Sequence, residues 1–408
     1  MIGIFLSALA AFFILFAPFT PINLPNENLL GYLLLIIGTA FFVLFCLTMA
    51  GSLIPLQKAG QNSTPYLLSL FKKDKYLLGI YSWIVLFALL SYMLALDTLW
   101  LNYLQKSHRL ALSVFSLGIT LDIYYTLLKR LITYLNPLEQ VVLFTQIAKE
   151  SIQNDRKSEL CEAVEALTET ALISTHKMNA TVCNQALQAM PNIIRNFLSS
   201  SKRIAHMATD SREKNSDMHD KTSYILYYIF ERISLINEKV LAKKLEQVAA
   251  TLVTVWGKII LHCARFDLTL ASYPLRLLSC HAKAAINQGL PDIGVRASLT
   301  LLEISRNILE EIEYTSLDLK DPFFSLINGL EEITQSTFLQ DKSINVKILM
   351  QPFQDLKDLF KNPKVATHQD TSLIIKNIDR VLGEYEALEL VMKTIPPLPD
   401  ISEEKSKI

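Results

Sequence analysis

The sequence predicts an all-α protein: four transmembrane helices followed by a cytoplasmic helical domain, either α-solenoid-like or an irregular helical bundle. Three observations support this. The 408-residue chain is 51% hydrophobic and only 19% charged, whereas average soluble domains have roughly 25% charged residues. Long charge-free runs occur in the first third of the chain. The remaining sequence repeats apolar residues at helical spacing and has no apolar run of membrane-spanning length.

The first third of the chain has enough apolar length for four membrane crossings. Three of its segments carry no charge: residues 1–26, 28–57 and 76–96. A crossing helix needs about 20 mainly apolar residues. The predicted spans are 2–19, 30–53, 77–97 and 110–128.

The first span could also be a cleaved signal peptide. No lysine or arginine precedes its apolar stretch, however, and no A-x-A-like cleavage site follows it. The prolines within 18–28 cannot continue a helix and predict a short turn before the second span. We therefore favour an uncleaved helical hairpin.

The orientation follows from basic residues in the short loops. Positive side chains favour the cytoplasmic side, and the loop after span two and the exit from span four hold most of them. The sequence therefore predicts cytoplasmic N and C termini. The compact loops and the lack of targeting motifs suggest a bacterial inner membrane. The candidate lipid-headgroup contacts are Lys72, Lys73, Lys75, Lys129 and Arg130.

The segment 66–73 allows two interpretations. Its apolar residues and the lysines at its end fit a helix lying in the headgroup layer. A plain linker into span three fits the same residues equally well.

The composition changes near Asn136-Pro137. Residues 1–136 contain eight basic and four acidic residues, which leaves 31 basic (39 − 8) and 35 acidic (39 − 4) for the remainder. We predict a transmembrane domain at 1–136 and a helical domain at 137–395. Apolar spacing in this domain predicts helices that include 223–237, 239–265, 269–287 and 371–393. Helix pairs of about 40 residues resemble HEAT or armadillo arrays, although an irregular bundle fits too. The polar stretch 199–222 predicts a mobile loop, and 396–408 predicts a disordered tail.

Asp122 lies well inside a predicted span, whereas Asp97 sits at the outer end of span three and is most simply a boundary residue. Intramembrane carboxylates are costly and often lie on ion or proton paths. The alternative is structural: Asp122 lies seven residues before Lys129, about 10 Å along a helix. It could therefore contact interfacial water or pair with a basic group at that boundary.

The sequence contains no motif that predicts catalysis or a cofactor. Phosphate-binding glycine loops, nucleophile elbows and zinc-protease helices are absent. The pairs His262-Cys263 and Cys280-His281 suggest zinc, but adjacent helical residues diverge by about 100° and the usual Cys-x2–4-Cys spacing is missing. We therefore predict no metal, no cofactor and no enzymatic activity.

The resulting prediction is a multi-pass membrane protein whose cytoplasmic helices form a scaffold for protein interaction. Its predicted partners are the lipid bilayer and another protein. The formal net charge of +0 does not predict a nucleic-acid partner. The alternative is a subunit of a channel or transporter, with the spans forming a homo-oligomer and Asp122 on the path. A membrane enzyme acting on lipid ranks last, because no paired carboxylates or histidine cluster mark the membrane face.

Overall fold

The protein is all-α wherever its structure is described. The computed structural model describes residues 2–16, 27–62, 70, 74–97, 106–207, 212–311 and 318–394. These residues contain helices and turns but no strand, which confirms the all-α part of the predicted fold class. The chain forms two compact units, Met1–Val142 and Leu143–Ile408. The boundary predicted at residue 136 lies six residues before this division.

The first unit is built from four apolar helices. These helices are α1, Ile2–Phe16; α2, Glu27–Asn62; α3, Lys75–Leu96; and α4, Lys106–Leu135. Helix α1 packs along α4, α2 packs along α3, and α3 also contacts α4. Helix α3 begins at Lys75 because the Asp74 carboxylate caps it: its Oδ1 accepts hydrogen bonds from the backbone N–H groups of Tyr76 (3.0 Å) and Leu77 (3.2 Å).

Small residues and hydrogen bonds join α2 to α3. A Cβ added to Gly38 would lie 3.3 Å from the carbonyl oxygen of Ala88, so the two backbones approach closely there. The Ser52 and Tyr81 hydroxyls form a buried hydrogen bond of 3.0 Å. Both features are typical of helix contacts in apolar surroundings, where close packing and interhelical hydrogen bonds hold helices together.

The second unit contains the remaining helices and a 3₁₀ turn, Leu268–Ala271. Left-handed residues close several of its turns, including Asp155 (φ 50°) and Gly289 (φ 82°). The helices are α5, Pro137–Gln153, which begins in the first unit; α6, Lys157–His176; α7, Ala180–Met207; α8, Arg212–Ala242; α9, Glu246–Phe266; α10, Ser272–Asn287; α11, Pro291–Glu311; α12, Lys320–Gln340; α13, Val346–Leu359; α14, Pro363–Ala366; and α15, Thr371–Thr394.

Helices two apart in the sequence pack side by side in the second unit, as in a helical repeat protein. One layer contains α7, α9, α11, α13 and α15, each in contact with the next. The other layer contains α6, α8, α10 and α12. Consecutive helices, such as α9 and α10 or α11 and α12, pack across the two layers. The core therefore runs between the layers, and each layer keeps one outer face.

The loop predicted at 199–222 is wrong for the described part of that segment. Helix α7 continues to Met207 and α8 begins at Arg212; residues 208–211 lie outside the described residues. The polar composition suggested a loop, but Lys, Arg, Ala, Met and Glu are good helix formers.

Candidate functional site

The first unit exposes large apolar side chains along its helices. In α2, only 11% of an 18-residue apolar window within Leu29–Ala50 is buried inside the protein, and the side chain of Ile36 is 63% exposed. Soluble monomers rarely expose contiguous apolar patches of more than a few hundred Å². Other large side chains on these helices that are about half or more exposed include Phe5, Leu6, Phe12, Leu47, Leu78, Leu89, Met93, Leu121 and Ile132.

Four helices among the described residues are long and apolar enough to cross a membrane, judged by length and composition. Three of them coincide with predicted spans: Leu29–Ala50, Lys75–Leu96 and His108–Leu135. The first predicted span is not among the four. The helix described there, Ile2–Phe16, has 15 residues, about 22 Å at 1.5 Å per residue.

The fourth apolar helix is α9, which the sequence assigns to the helical domain. An 18-residue apolar window of this helix is 61% buried inside the protein, more than the corresponding window of any of the other three. Neighbouring helices of both layers cover it, and the side chain of Trp256 at its centre is fully buried. Contacts with protein therefore account for its apolar composition.

A buried ion pair joins α3 and α4 at one end. The Nε atom of Arg109 lies 2.9 Å from Oδ2 of Asp97, and the two side chains are 2% and 11% exposed. Asp97 follows the last turn of α3, and Arg109 lies in the first turn of α4. Each charge is therefore next to the unfavourable end of its own helix dipole. Mutual pairing offsets that cost and the cost of burial.

A second ion pair joins the opposite ends of the same helices. The Oδ2 atom of Asp74 accepts hydrogen bonds from Arg130 Nε at 2.7 Å and from the Tyr134 hydroxyl at 2.8 Å. The Arg130 guanidinium also lies 5.3 Å from the centre of the Tyr76 ring. One carboxylate thus caps α3 and binds the last two turns of α4.

The two ion pairs are separated by about the thickness of a bilayer core. Asp74 and Asp97 are 23 residues apart, about 34 Å along a helix, and Arg109 and Arg130 are 21 apart, about 32 Å. A bilayer's hydrocarbon core is about 30 Å thick. Between the pairs, α3 and α4 contain three charged residues: Lys75, Asp122 and Lys129.

The predicted site residues lie in different places. Asp122 is partly buried and eight residues from Arg130, about 12 Å along the helix. Lys75 and Lys129 are exposed, whereas Arg130 is paired with Asp74. Lys72 and Lys73 lie outside the described residues, as do segment 66–73 apart from Leu70, the turn after span one and the tail 396–408.

Neither ion pair was predicted from the sequence. Asp97 was interpreted as a boundary residue, and no role was predicted for Asp74. The signal for Asp74 was present, since an aspartate directly before an apolar helical run predicts an N-cap. The pairing with α4 could not be predicted, because it depends on which helices become neighbours.

A similar carboxylate, tyrosine and arginine cluster joins α6 to α8 in the second unit. Glu165 Oε2 accepts a hydrogen bond of 2.6 Å from the Tyr228 hydroxyl and lies 2.7 Å from Arg232 Nε. Burial and the hydrogen bond to Glu165 raise the pKa of Tyr228 to about 12. The tyrosine therefore stays protonated at physiological pH, and the cluster holds the helices together.

The described residues contain no group of three or more His, Cys, Asp or Glu side chains able to hold a metal ion. All five cysteines are free thiols. In the two pairs considered for zinc, Cys263 is buried, Cys280 is exposed and the His281 ring lies 5.4 Å from the Trp256 ring. Burial raises the pKa of Cys263 to about 12, so this thiol is not a ready nucleophile or ligand.

We expect the stability of the second unit to fall in acid because of His281. Its Nδ1 atom is buried without a hydrogen-bond partner among the described residues, and burial lowers the pKa of His281 from 6.5 to about 4. The unfolded chain takes up this proton below pH 6.5, but the folded chain does so only near pH 4. The neutral histidine's contribution to stability is therefore complete above pH 6.5 and falls as pH drops, by about 3 kcal/mol at pH 4.

Replacing His281 by phenylalanine keeps a ring against Trp256 but removes the titration. We expect the free energy of unfolding of the full-length His281→Phe protein in mild detergent to fall less between pH 7 and pH 4.5 than that of the wild type. Comparing the two proteins subtracts the titrations that they share. An identical loss of stability in both would contradict this assignment.

Comparisons with known proteins add little. No family model and no curated protein matches the sequence. Among solved structures, the chain is similar to a circular tandem repeat protein with novel repeat topology and enhanced subunit contact surfaces. The identity is 12%, the alignment covers 89% of this chain and 97% of that one, and the TM-score is 0.21. A TM-score this low supports no argument about fold or function.

Proposed function

We propose that this is a multi-pass membrane protein whose helical second unit forms a cytoplasmic scaffold for protein interaction. The membrane assignment is supported mainly by two ion pairs, Asp74–Arg130 and Asp97–Arg109. They bracket a charge-poor stretch of about 32–34 Å on helices with exposed apolar side chains. Lipid is the solvent that suits such a surface.

The same helices support the proposed orientation. Lys58, Lys72, Lys73 and Lys75 precede or begin α3, and Lys129 and Arg130 lie near the end of α4. The opposite ends of these helices and the loop between them contain Lys106 and Arg109. This six-to-two distribution of basic residues favours the side that carries Lys75 and Arg130 as cytoplasmic. The second unit follows α4 on that side.

The architecture of the second unit supports a scaffold. Arrays in which alternate helices form two layers present long outer faces to other proteins and need no catalytic group. Within the described residues, the polar clusters that we find, such as Glu165–Tyr228–Arg232, connect helices of the unit. The channel alternative gains no specific support, because Asp122 is the one acidic residue between the two ion pairs on α3 and α4.

The scaffold is tested by cross-linking the full-length protein in native membranes, purifying it and identifying attached proteins by mass spectrometry. We expect a defined partner attached through the second unit. A second multi-pass protein expressed at the same level is the control. Recovery of nothing beyond that control would overturn the scaffold, without affecting the membrane assignment.

A further inference from the structure

The outer face shared by α7 and α9 combines basic side chains with an almost complete lack of acidic ones. Helix α7 contains no aspartate or glutamate, and α9 contains only Glu246, in its first turn. Arg195 on α7 and Lys258 and Arg265 on α9 are exposed. Arg195 and Lys258 form no ion pair within the described parts of the chain.

These cations lie close enough together to act on one side chain. His262 lies one turn after Lys258 on the same helix face. Burial and then the positive charges of Arg195, Arg265 and Lys258 lower the pKa of His262, and no acidic group opposes them. Since Arg195 belongs to the neighbouring helix, the basic patch extends across the line of contact between α7 and α9.

A row of amide side chains extends this patch along α7. Asn184, Gln188 and Asn192 are spaced four residues apart and reach the solvent, and Arg195 follows at the next helical step. Each amide offers both a hydrogen-bond donor and an acceptor. Gln188 and Asn192 are exposed and can present both groups to a ligand, whereas the Oδ1 atom of Asn184 is buried with no hydrogen-bond partner among the described residues.

The spacing of this row fits an extended polypeptide. Four helical residues advance about 6 Å, and two residues of an extended strand advance about 6.6–6.8 Å. Successive amides can therefore meet alternate residues of a peptide backbone, which presents both N–H and C=O groups. Phosphates offer acceptors only, so a ligand that presented its phosphate groups to this row would leave the amide oxygens without donors.

We propose that the α7–α9 face, defined by Asn184, Gln188, Asn192, Arg195, Lys258 and Arg265, binds an extended acidic segment of a partner protein. The proposal rests on the scaffold function and names the chemistry of its partner. The amides bind the segment's backbone, and the cations bind its aspartate or glutamate side chains.

The test measures fluorescence anisotropy of a labelled 12-residue peptide of alternating aspartate and serine, mixed with the full-length protein in mild detergent at low salt. A peptide of alternating asparagine and serine is the neutral reference, and a 12-nucleotide oligothymidylate is the phosphate reference. We expect the acidic peptide to bind at least tenfold more tightly than either. Equal or tighter binding of the oligothymidylate would overturn the choice of a protein partner.

Two charge-reversal variants locate the site. Arg195→Glu with Lys258→Glu is expected to weaken binding of the acidic peptide at least tenfold. Lys239→Glu with Arg276→Glu makes the same change in net charge on exposed residues of α8 and α10 in the other layer, and should change binding less than twofold. Equal losses in both variants would overturn the proposal. The double variant Arg195→Gln/Lys258→Gln removes both positive charges without adding negative ones. It checks that the loss of peptide binding does not depend on added negative charge.

The amide row and the scaffold are tested separately. The double variant Gln188→Ala/Asn192→Ala should weaken binding of the acidic peptide about threefold or more. Unchanged affinity would contradict backbone recognition by the amides. If cross-linking captures the same partner with the wild type and with Arg195→Glu/Lys258→Glu, the scaffold stands and this face is not its docking site.

Discussion

Replacing Asp97 by asparagine is expected to destabilise the first unit by about 3–5 kcal/mol, the usual cost of removing one partner from a buried ion pair. The Arg109 side chain is only 2% exposed, so its charge would stay buried without its carboxylate. The free energy of unfolding of the detergent-solubilised protein, measured by titration with sodium dodecyl sulfate, gives the effect. A loss below about 1 kcal/mol would show that water reaches this pair.

Two controls separate charge from packing. Asp97→Leu combined with Arg109→Met removes both charges and should recover most of the lost stability, since apolar replacements of buried pairs are often neutral. Asp358→Asn breaks the exposed pair with Lys361, whose side chains are 61% and 70% exposed. We expect that change to cost less than about 1 kcal/mol.

Replacing Ile36 by arginine is expected to prevent or strongly reduce insertion of α2. Its side chain is 63% exposed near the middle of Leu29–Ala50. In water, an exposed Ile→Arg change on a helix costs little. At the centre of a membrane helix, arginine costs about 2.5–3.5 kcal/mol on insertion scales. The amount of full-length protein in the membrane fraction measures the difference.

Leu299→Arg is the matched control for Ile36→Arg. Leu299 is 62% exposed and lies in the middle of α11, so exposure and position within a helix are similar. We expect normal yield and normal membrane association for this variant. If both substitutions behaved alike, the exposed apolar surface of α2 would not be facing lipid.

The positions of most helices could be predicted from the sequence, because the apolar spacing of each segment is a local property. The expected helix at 371–393 is observed as Thr371–Thr394, and that at 269–287 as Ser272–Asn287 after a 3₁₀ turn. The junction expected near residue 238 lies instead at Lys243–Leu245. There Lys244 adopts φ 52°, with no glycine or proline to signal the turn.

The candidate sites depended more on tertiary structure. The sequence identified Asp122 and the basic residues at the helix ends. It could not show that Arg130 and Tyr134 converge on Asp74 or that Asp97 pairs with Arg109. The segment 199–222 is polar, but polarity alone does not separate a loop from the end of a helix. The face of α7 and α9 also emerges only when helices two apart become neighbours.

Alkaline carbonate extraction of membranes from expressing cells tests whether lipid surrounds the first unit. We expect the full-length wild-type protein to stay in the high-speed pellet after carbonate treatment and to enter the supernatant only when detergent is added. Full-length protein in the supernatant without detergent would show that lipid does not surround the first unit.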